Sequence, residues 1–377
     1  MRAPAGSVRS RYLHTDWGLY VAASGLSLVG AVLVWSATHE QVGVALTIRH
    51  LVNTAVGLLA AVLLVRVDVR WLRAAAPWVY LAGVAGLVVV LGPLGQTVNG
   101  SRSWLFLPGG FSLQPAELAK IALAIGLAMI LVSGRDPTRP PGASEVLPAW
   151  LLGGIPVVLV LAQPDLGTAV VLAAMTVGVV ATSGAAWWWT AAAVGGAVAG
   201  VTAAVRIPLL DRYQVDRLLA FADPSLDPEG IGYQTRQVRL AIGSGGWEGA
   251  GLGAGPRTQG GYVPFQETDF IFSVAGEELG FWGAAGLIGL LGFLVLRALW
   301  VAVTTDDPFG RLVAVGVATW FAFQTFQNIA MNLGLVPVTG LPLPFVSYGG
   351  SSMLACWLAV GLLACAQHAA RRPTLVP

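Results

Sequence analysis

Residues 257–283 read RTQGGYVPFQETDFIFSVAGEELGFWG, a stretch that joins four acids to apolar sequence of membrane character. Asp269 ends a polar loop and stands directly before Phe270, Ile271 and Phe272. Glu277 and Glu278 follow about two helical turns later. A carboxylate near hydrocarbon is costly unless it is solvated, paired or used, so acids placed this way are candidates for function.

Elsewhere charge is scarce. Of 377 residues, 56% are hydrophobic and 11% charged, and the mean hydropathy is +0.73; a soluble domain of ordinary composition carries about twice that share of charge. The composition is that of a polytopic membrane protein. A net charge of +2 without clustered basic residues gives no reason to expect nucleic acid as a partner. Cys356 and Cys365 fall in one apolar segment at a spacing that sets them on opposite helix faces, which excludes a bridge between them and indicates neither a disulfide framework nor a zinc site. Arg2, Arg9 and Arg11 precede an apolar run from Trp17 that is about twenty residues long without a small-residue cleavage site, so it reads as a retained first span.

Segments long enough to cross about 30 Å of hydrocarbon at about 1.5 Å per residue occur near 17–37, 48–65, 74–92, 114–132, 146–162, 166–183, 186–205, 270–303, 309–331 and 347–368. The expected fold is all-α, with about ten transmembrane helices in a single domain over 1–377. A long extracytoplasmic loop, 206–268, lies between helices 7 and 8. Glycines 276, 280 and 283 mark the start of the 270–303 segment as a tilted, broken or re-entrant piece. Within the long loop, Tyr233 to Ile242 has the apolar positions for a short helix at the interface. With both termini cytoplasmic, twelve arginines fall on inner short segments against Arg49 and Arg102 on outer ones, which satisfies the positive-inside rule.

Five constellations carry polar chemistry. In the outer NGSRSW at 99–104, Arg102 can hold a phosphate or carboxylate and Trp104 can stack on a sugar or anchor at headgroup level. In QPAELAK at 114–120, Glu117 and Lys120, the only lysine, share a helix face, either as a structural ion pair or as part of a site. Asp165 in QPDLGT is placed to cap the sixth helix. Arg217, the Gly232-Tyr233-Gln234 run that ends at Gln237, and the glycines from 243 to 246 gather cationic, amide and flexible-backbone groups on the outer side. The Pro- and Gly-dense 337–352 makes a non-helical approach to the last span, suited to forming a cavity wall.

Taken together, these motifs resemble the SEDS family, the RodA and FtsW proteins of bacterial elongation and division. The matching stretches are NGSRSW, QPAELAK, QPDLGTA at 163–169, GYQ at 232–234, AIGSGGW at 241–247, TDFIFSVAGEELGFWG at 268–283 and VPVTGLPLPFVSYGGSS at 336–352. Thr258-Gln259 and the GLVPVTGLPLPFVSYGG ending look more like RodA. The resemblance implies a multi-pass protein of the bacterial cytoplasmic membrane that polymerises lipid II among membrane lipids, with a class B penicillin-binding protein as transpeptidase partner. It assigns Asp269 as the base that deprotonates the attacking sugar hydroxyl, with undecaprenyl pyrophosphate as leaving group. Arg102, Lys120 and Arg217 are the candidates for the diphosphate, with Trp104, Glu117 and Gln237 completing the substrate-binding set. The metal ligands are unknown; a divalent cation, Mg or Mn, would serve the leaving group, and no organic cofactor is implied. The sequence departs from the family where many relatives read Leu-Pro-Glu-x-His-Thr-Asp, for here Phe265 replaces the Glu and Glu267 the His. Like charge from Glu267 would raise the Asp269 pKa unless a cation offsets it. A lipid II flippase, or a membrane scaffold for the penicillin-binding partner, would use many of the same features.

Overall fold

The computed structural model describes residues 16–98, 100–107, 111–133, 139–206 and 230–369. Each of the ten apolar segments forms helix: α1 (Trp17–Val42), α2 (Ala45–Leu64), α3 (Val69–Leu91), α4 (Pro115–Val132), α5 (Ala143–Leu161), α6 (Leu166–Thr182) and α7 (Trp187–Arg206). The order continues with α8 (Ile231–Ser244), the one-turn α9 (Pro256–Gln259), α10 (Ile271–Glu278), α11 (Gly280–Thr304), α12 (Pro308–Asn332) and α13 (Gly350–Ala369). Eight of the described helices are long and apolar enough to cross a membrane, and α6 is a shorter apolar helix. The protein is a multi-pass, predominantly helical membrane protein.

Burial sorts these helices into a centre and a periphery. The most apolar windows of α4 and α13 are 78% buried and that of α12 is 67% buried, whereas those of α2 and α3 are 17% buried. Packing joins α4 to α3, α6 and α12, and α13 to α2, α4 and α12, so polar groups on α4 and α12 face protein and not lipid. Among the described residues, Asp16, Asp68 and Asp307 each cap a helix. Asp16 accepts from Gly18 N at 3.0 Å, Asp68 from Arg70 N at 3.1 Å and Asp307 from Gly310 N at 2.7 Å. Each also meets an arginine, Arg297, Arg70 and Arg73 respectively, which places the ion pairs at helix ends. Both cysteines are free and buried.

Two features correct the sequence reading. A three-stranded antiparallel sheet, β1 (Gln96–Val98), β2 (Ser101–Leu107) and β3 (Phe111–Leu113), occupies the connection between α3 and α4 in order β1-β2-β3. Its sequence signal is the Asn99-Gly100 pair, a strong hairpin turn, with Gly100 at φ 81°. The second correction is α8, which does not simply rest on an interface: Val238 and Ala241 are fully buried as the helix packs on α10 and α12.

The expected break in the 270–303 segment falls between α10 and α11. Gly280 has φ 64°, and a side chain there would meet Gly249 N at 2.3 Å. That clearance lets the 245–251 turn close on the end of α10, where Ala250 N and Gly251 N donate to the carbonyls of Glu277 and Glu278 at 2.9 and 3.0 Å. The otherwise unmet C-terminal carbonyls of α10 are thereby satisfied.

Candidate functional site

Asp269 owes its position to its backbone. Three consecutive carbonyls are captured from other segments: Tyr348 N donates to Glu267 O at 2.8 Å, Ser347 Oγ to Thr268 O, and Asn328 and Asn332 Nδ2 to Asp269 O at 2.9 and 3.2 Å. The loop end is therefore tied to α12 and to the 337–349 segment before α13 begins. Opposite the carboxylate, Gly340 has φ 71°, and a Cβ there would lie 3.5 Å from Asp269 Oδ2. Only glycine adopts that backbone readily.

Behind this loop, Glu277 and Glu278 are fully buried. Glu277 accepts from Arg257 N at 2.9 Å, Thr258 N at 2.8 Å, Thr258 Oγ1 at 2.7 Å and Ser244 Oγ at 3.3 Å. Glu278 accepts from Ser36 Oγ and from Gln259 Nε2 at 2.9 Å. Backbone, hydroxyl and amide donors hold both acids and tie α9 to α1, α8 and α10. Gln266 extends the same clamp, its Nε2 donating to Ala37 O at 2.7 Å and to Thr258 O at 3.1 Å.

The Asp269 side chain lines a cavity of about 280 Å³. Trp104 from the sheet, Gln114 before α4, Asp165 before α6, Phe265 from the loop and Ser351 from α13 share its walls. Asp165 caps α6, as its position predicts, with Thr168 N at 3.0 Å and Thr168 Oγ1 at 2.8 Å, and Gln114 Nε2 lies 3.4 Å from its second oxygen. Burial pushes the Asp165 carboxyl above its usual value of 3.8, against the lowering effect of the Thr168 hydrogen bonds. Thr339, Gly340, Pro342, Tyr348 and Gly349 supply the wall expected of the 337–352 segment. The lining carries no basic residue among those described. A larger cavity of about 630 Å³, walled by Trp17, Tyr20 and Leu28 of α1 and Leu58 and Val62 of α2, is apolar and offers no acid or base.

The other sequence candidates are dispersed. Lys120 is fully buried in the bundle, where Nζ donates to Glu117 Oε1 at 2.7 Å and Gln324 Oε1 at 2.9 Å and lies 4.7 Å from the Trp320 ring centre. Glu117 is 1% exposed, and neither residue lines the cavity. Arg102 holds the turn after α3, with Nη2 donating to Gly92 O at 2.8 Å and Nε to Gly95 O at 3.2 Å. Gln237 accepts from Arg257 Nη1 at 2.6 Å. Arg217 lies outside the described residues. Glu267 is half-buried and lies outside the cavity lining, and no group of three or more His, Cys, Asp or Glu among the described residues assembles as a metal site. With both Asp165 oxygens already accepting hydrogen bonds, these residues do not by themselves fit a protein-held metal. Gln114, Asp165 and Ser351 escaped the sequence assignment because no local pattern joins positions 51 to 237 residues apart.

A family model described as "Cell cycle protein", FTSW_RODA_SPOVE, matches residues 13–372. The chain is 37% identical over 360 residues to the probable peptidoglycan glycosyltransferase FtsW of Trichlorobacter lovleyi, covering 94% of this chain and 93% of that one. It is 35% identical over 354 residues to the peptidoglycan glycosyltransferase MrdB of Escherichia coli, covering 93% of each. Among solved structures, one described as "Structural coordination of polymerization and crosslinking by a peptidoglycan synthase complex" superposes with a TM-score of 0.81 at 34% identity, covering 96% of this chain and 100% of that one. The rod shape determining protein RodA of Thermus thermophilus gives a TM-score of 0.69 at 32% identity, covering 96% and 99%.

Proposed function

This chain belongs to the FtsW, RodA and SpoVE family, and from that premise we propose that it is a peptidoglycan glycosyltransferase that polymerises lipid II. A sugar hydroxyl of one lipid-linked molecule attacks the anomeric carbon of another. The new C–O bond forms as the bond to undecaprenyl pyrophosphate breaks, and the hydroxyl proton passes to the Asp269 carboxylate. The observation that carries this reading is the cavity itself: Asp269 lines it on a backbone held through three successive carbonyls, the preorganisation a base requires. Trp104 and Gln114 line the same space and suit the ring face and hydroxyls of a sugar.

Lys120 serves in this reading through the bundle, as the partner of Glu117, and the cations for the diphosphate are Arg102 and Arg217 on the outer side. A divalent cation would add Lewis-acid stabilisation of the leaving diphosphate. Relatives named for both the FtsW and the MrdB branch match over most of the chain; Thr258-Gln259 and the 334–350 segment favour the elongation branch. The likeness to a peptidoglycan synthase complex supports a class B penicillin-binding protein as partner, in the bacterial cytoplasmic membrane with both termini inside. Purified protein supplied with lipid II in detergent tests the reading. Polymer that vanishes in Asp269→Asn supports it, and no polymer with any partner or metal refutes it in favour of transport or scaffolding.

A further inference from the structure

We infer that Phe265 sets substrate specificity in the cavity, as an aromatic platform on which a sugar ring of the lipid-linked substrate lies. The inference rests on the glycosyltransferase reading above. Phe265 lines the cavity that holds Asp269 and is 41% exposed, while Val263 and Phe270 on either side of it are 3% and 1% exposed. The loop thus has an apolar interior within reach at both ends, yet this ring is left out of it.

The backbone makes the same point independently. Phe265 stands at φ 55°, a region that a bulky side chain disfavours. The turn does not call for a ring: its closure uses the Phe265 carbonyl, which accepts from Thr268 N at 3.1 Å and Phe270 N at 3.2 Å. Glycine or asparagine would close that turn with less strain. Strained backbone of this kind concentrates at ligand sites, where the placement of the side chain is used. The Phe265 O to Phe270 N hydrogen bond encloses Asp269 in one short ring of chain, so the backbones at Phe265 and Asp269 keep a fixed relation.

The rest of the lining fits the same ligand. Trp104 is the second large aromatic, and Gln114, Ser351 and Ser352 bring amide and hydroxyl groups. Aromatic faces for the apolar side of a sugar ring, with neutral polar side chains for its hydroxyls, are what an uncharged pyranose needs.

The test is lipid II polymerisation by detergent-purified protein, followed against lipid II concentration. Phe265→Gly and Phe265→Leu are expected to raise KM about 5- to 10-fold, the effect of one lost aromatic stacking contact, with kcat within about twofold of wild type. Phe265→Tyr and Phe265→Trp are expected to keep KM within about twofold. The thermal midpoint of Phe265→Gly should equal or exceed that of wild type, because the strain is gone. A wild-type KM in Phe265→Leu would show that bulk suffices and would overturn the platform. So would a fall in kcat at constant KM, which marks loop positioning. If the wild type makes no polymer with any partner or metal, the glycosyltransferase reading fails on its own, and equilibrium binding of lipid II decides the platform. A 5- to 10-fold rise in Kd for Phe265→Gly, about the same stacking contribution, supports it. An unchanged Kd, or no binding by the wild type, overturns it.

Discussion

The Glu117–Lys120 pair and the Asp269 cavity both put acids inside a bundle with little charge, and they solve the cost in opposite ways. In the core, Lys120 is enclosed by Glu117, Gln324 and Trp320, and Trp320 Nε1 and Gln324 Nε2 continue the network to Pro342 O. Lys120 thereby ties α4 to α12, and neither it nor Glu117 lines the cavity. At the cavity the main chain of Asp269 is held through three successive carbonyls and the residue lines the wall. The contrast teaches that a charge within the bundle is evidence of function only where it also lines a cavity that a ligand can enter.

The strongest test of this contrast is Asp269→Asn. It should lower polymerisation by about 10²- to 10⁴-fold, the range of a lost general base, with an unchanged thermal midpoint. Activity loss accompanied by unfolding would erase the distinction. Next, Lys120→Met should destabilise by about 3–5 kcal/mol, because Glu117 is left buried and unpaired, and Glu117→Gln combined with Lys120→Met should recover most of that loss. Thermal unfolding in detergent measures both. A Lys120→Met protein that unfolds normally but makes no polymer would move Lys120 into the site.

Glu277 lies between the two cases, a buried acid that acts on the loop carrying Asp269. Glu277→Ala leaves the amides of Arg257 and Thr258 without their acceptor and should cost about 1–3 kcal/mol for each group stranded away from water. Hydrogen exchange at 256–259 should rise if the clamp works as drawn; protection equal to wild type would rule it out. The smallest effect is the pH dependence of Asp165, which sits in the turn between α5 and α6. Its folded-state pKa is raised above 3.8 by burial, so the folded protein holds this proton to higher pH than the unfolded chain. The associated stability is complete below the usual value and is lost as pH rises through the raised one. Asp165→Asn should flatten the dependence of the thermal midpoint on pH above the usual carboxylate value of 3.8, and an unaltered slope would assign the dependence to other groups.

Much of this was legible in the sequence because it depends on neighbours along the chain. Apolar run lengths gave the helical segments, glycine density gave the break at Gly280, and Asp165 announced its cap through Thr168 three residues later. The family motifs singled out Trp104 and Asp269, which share the cavity wall. They also singled out Lys120, whose partner Gln324 lies 204 residues away.

By itself, then, the sequence determined which stretches become helices and that acids would stand at a membrane edge, since both follow from hydrophobic length and local backbone chemistry. Which of those acids opens to a cavity and which is sealed in the core was decided by tertiary structure alone. That outcome depends on which helix faces meet and on which donors converge from α12, the 337–349 segment and α9, and helical periodicity says only that a face is buried, not what buries it.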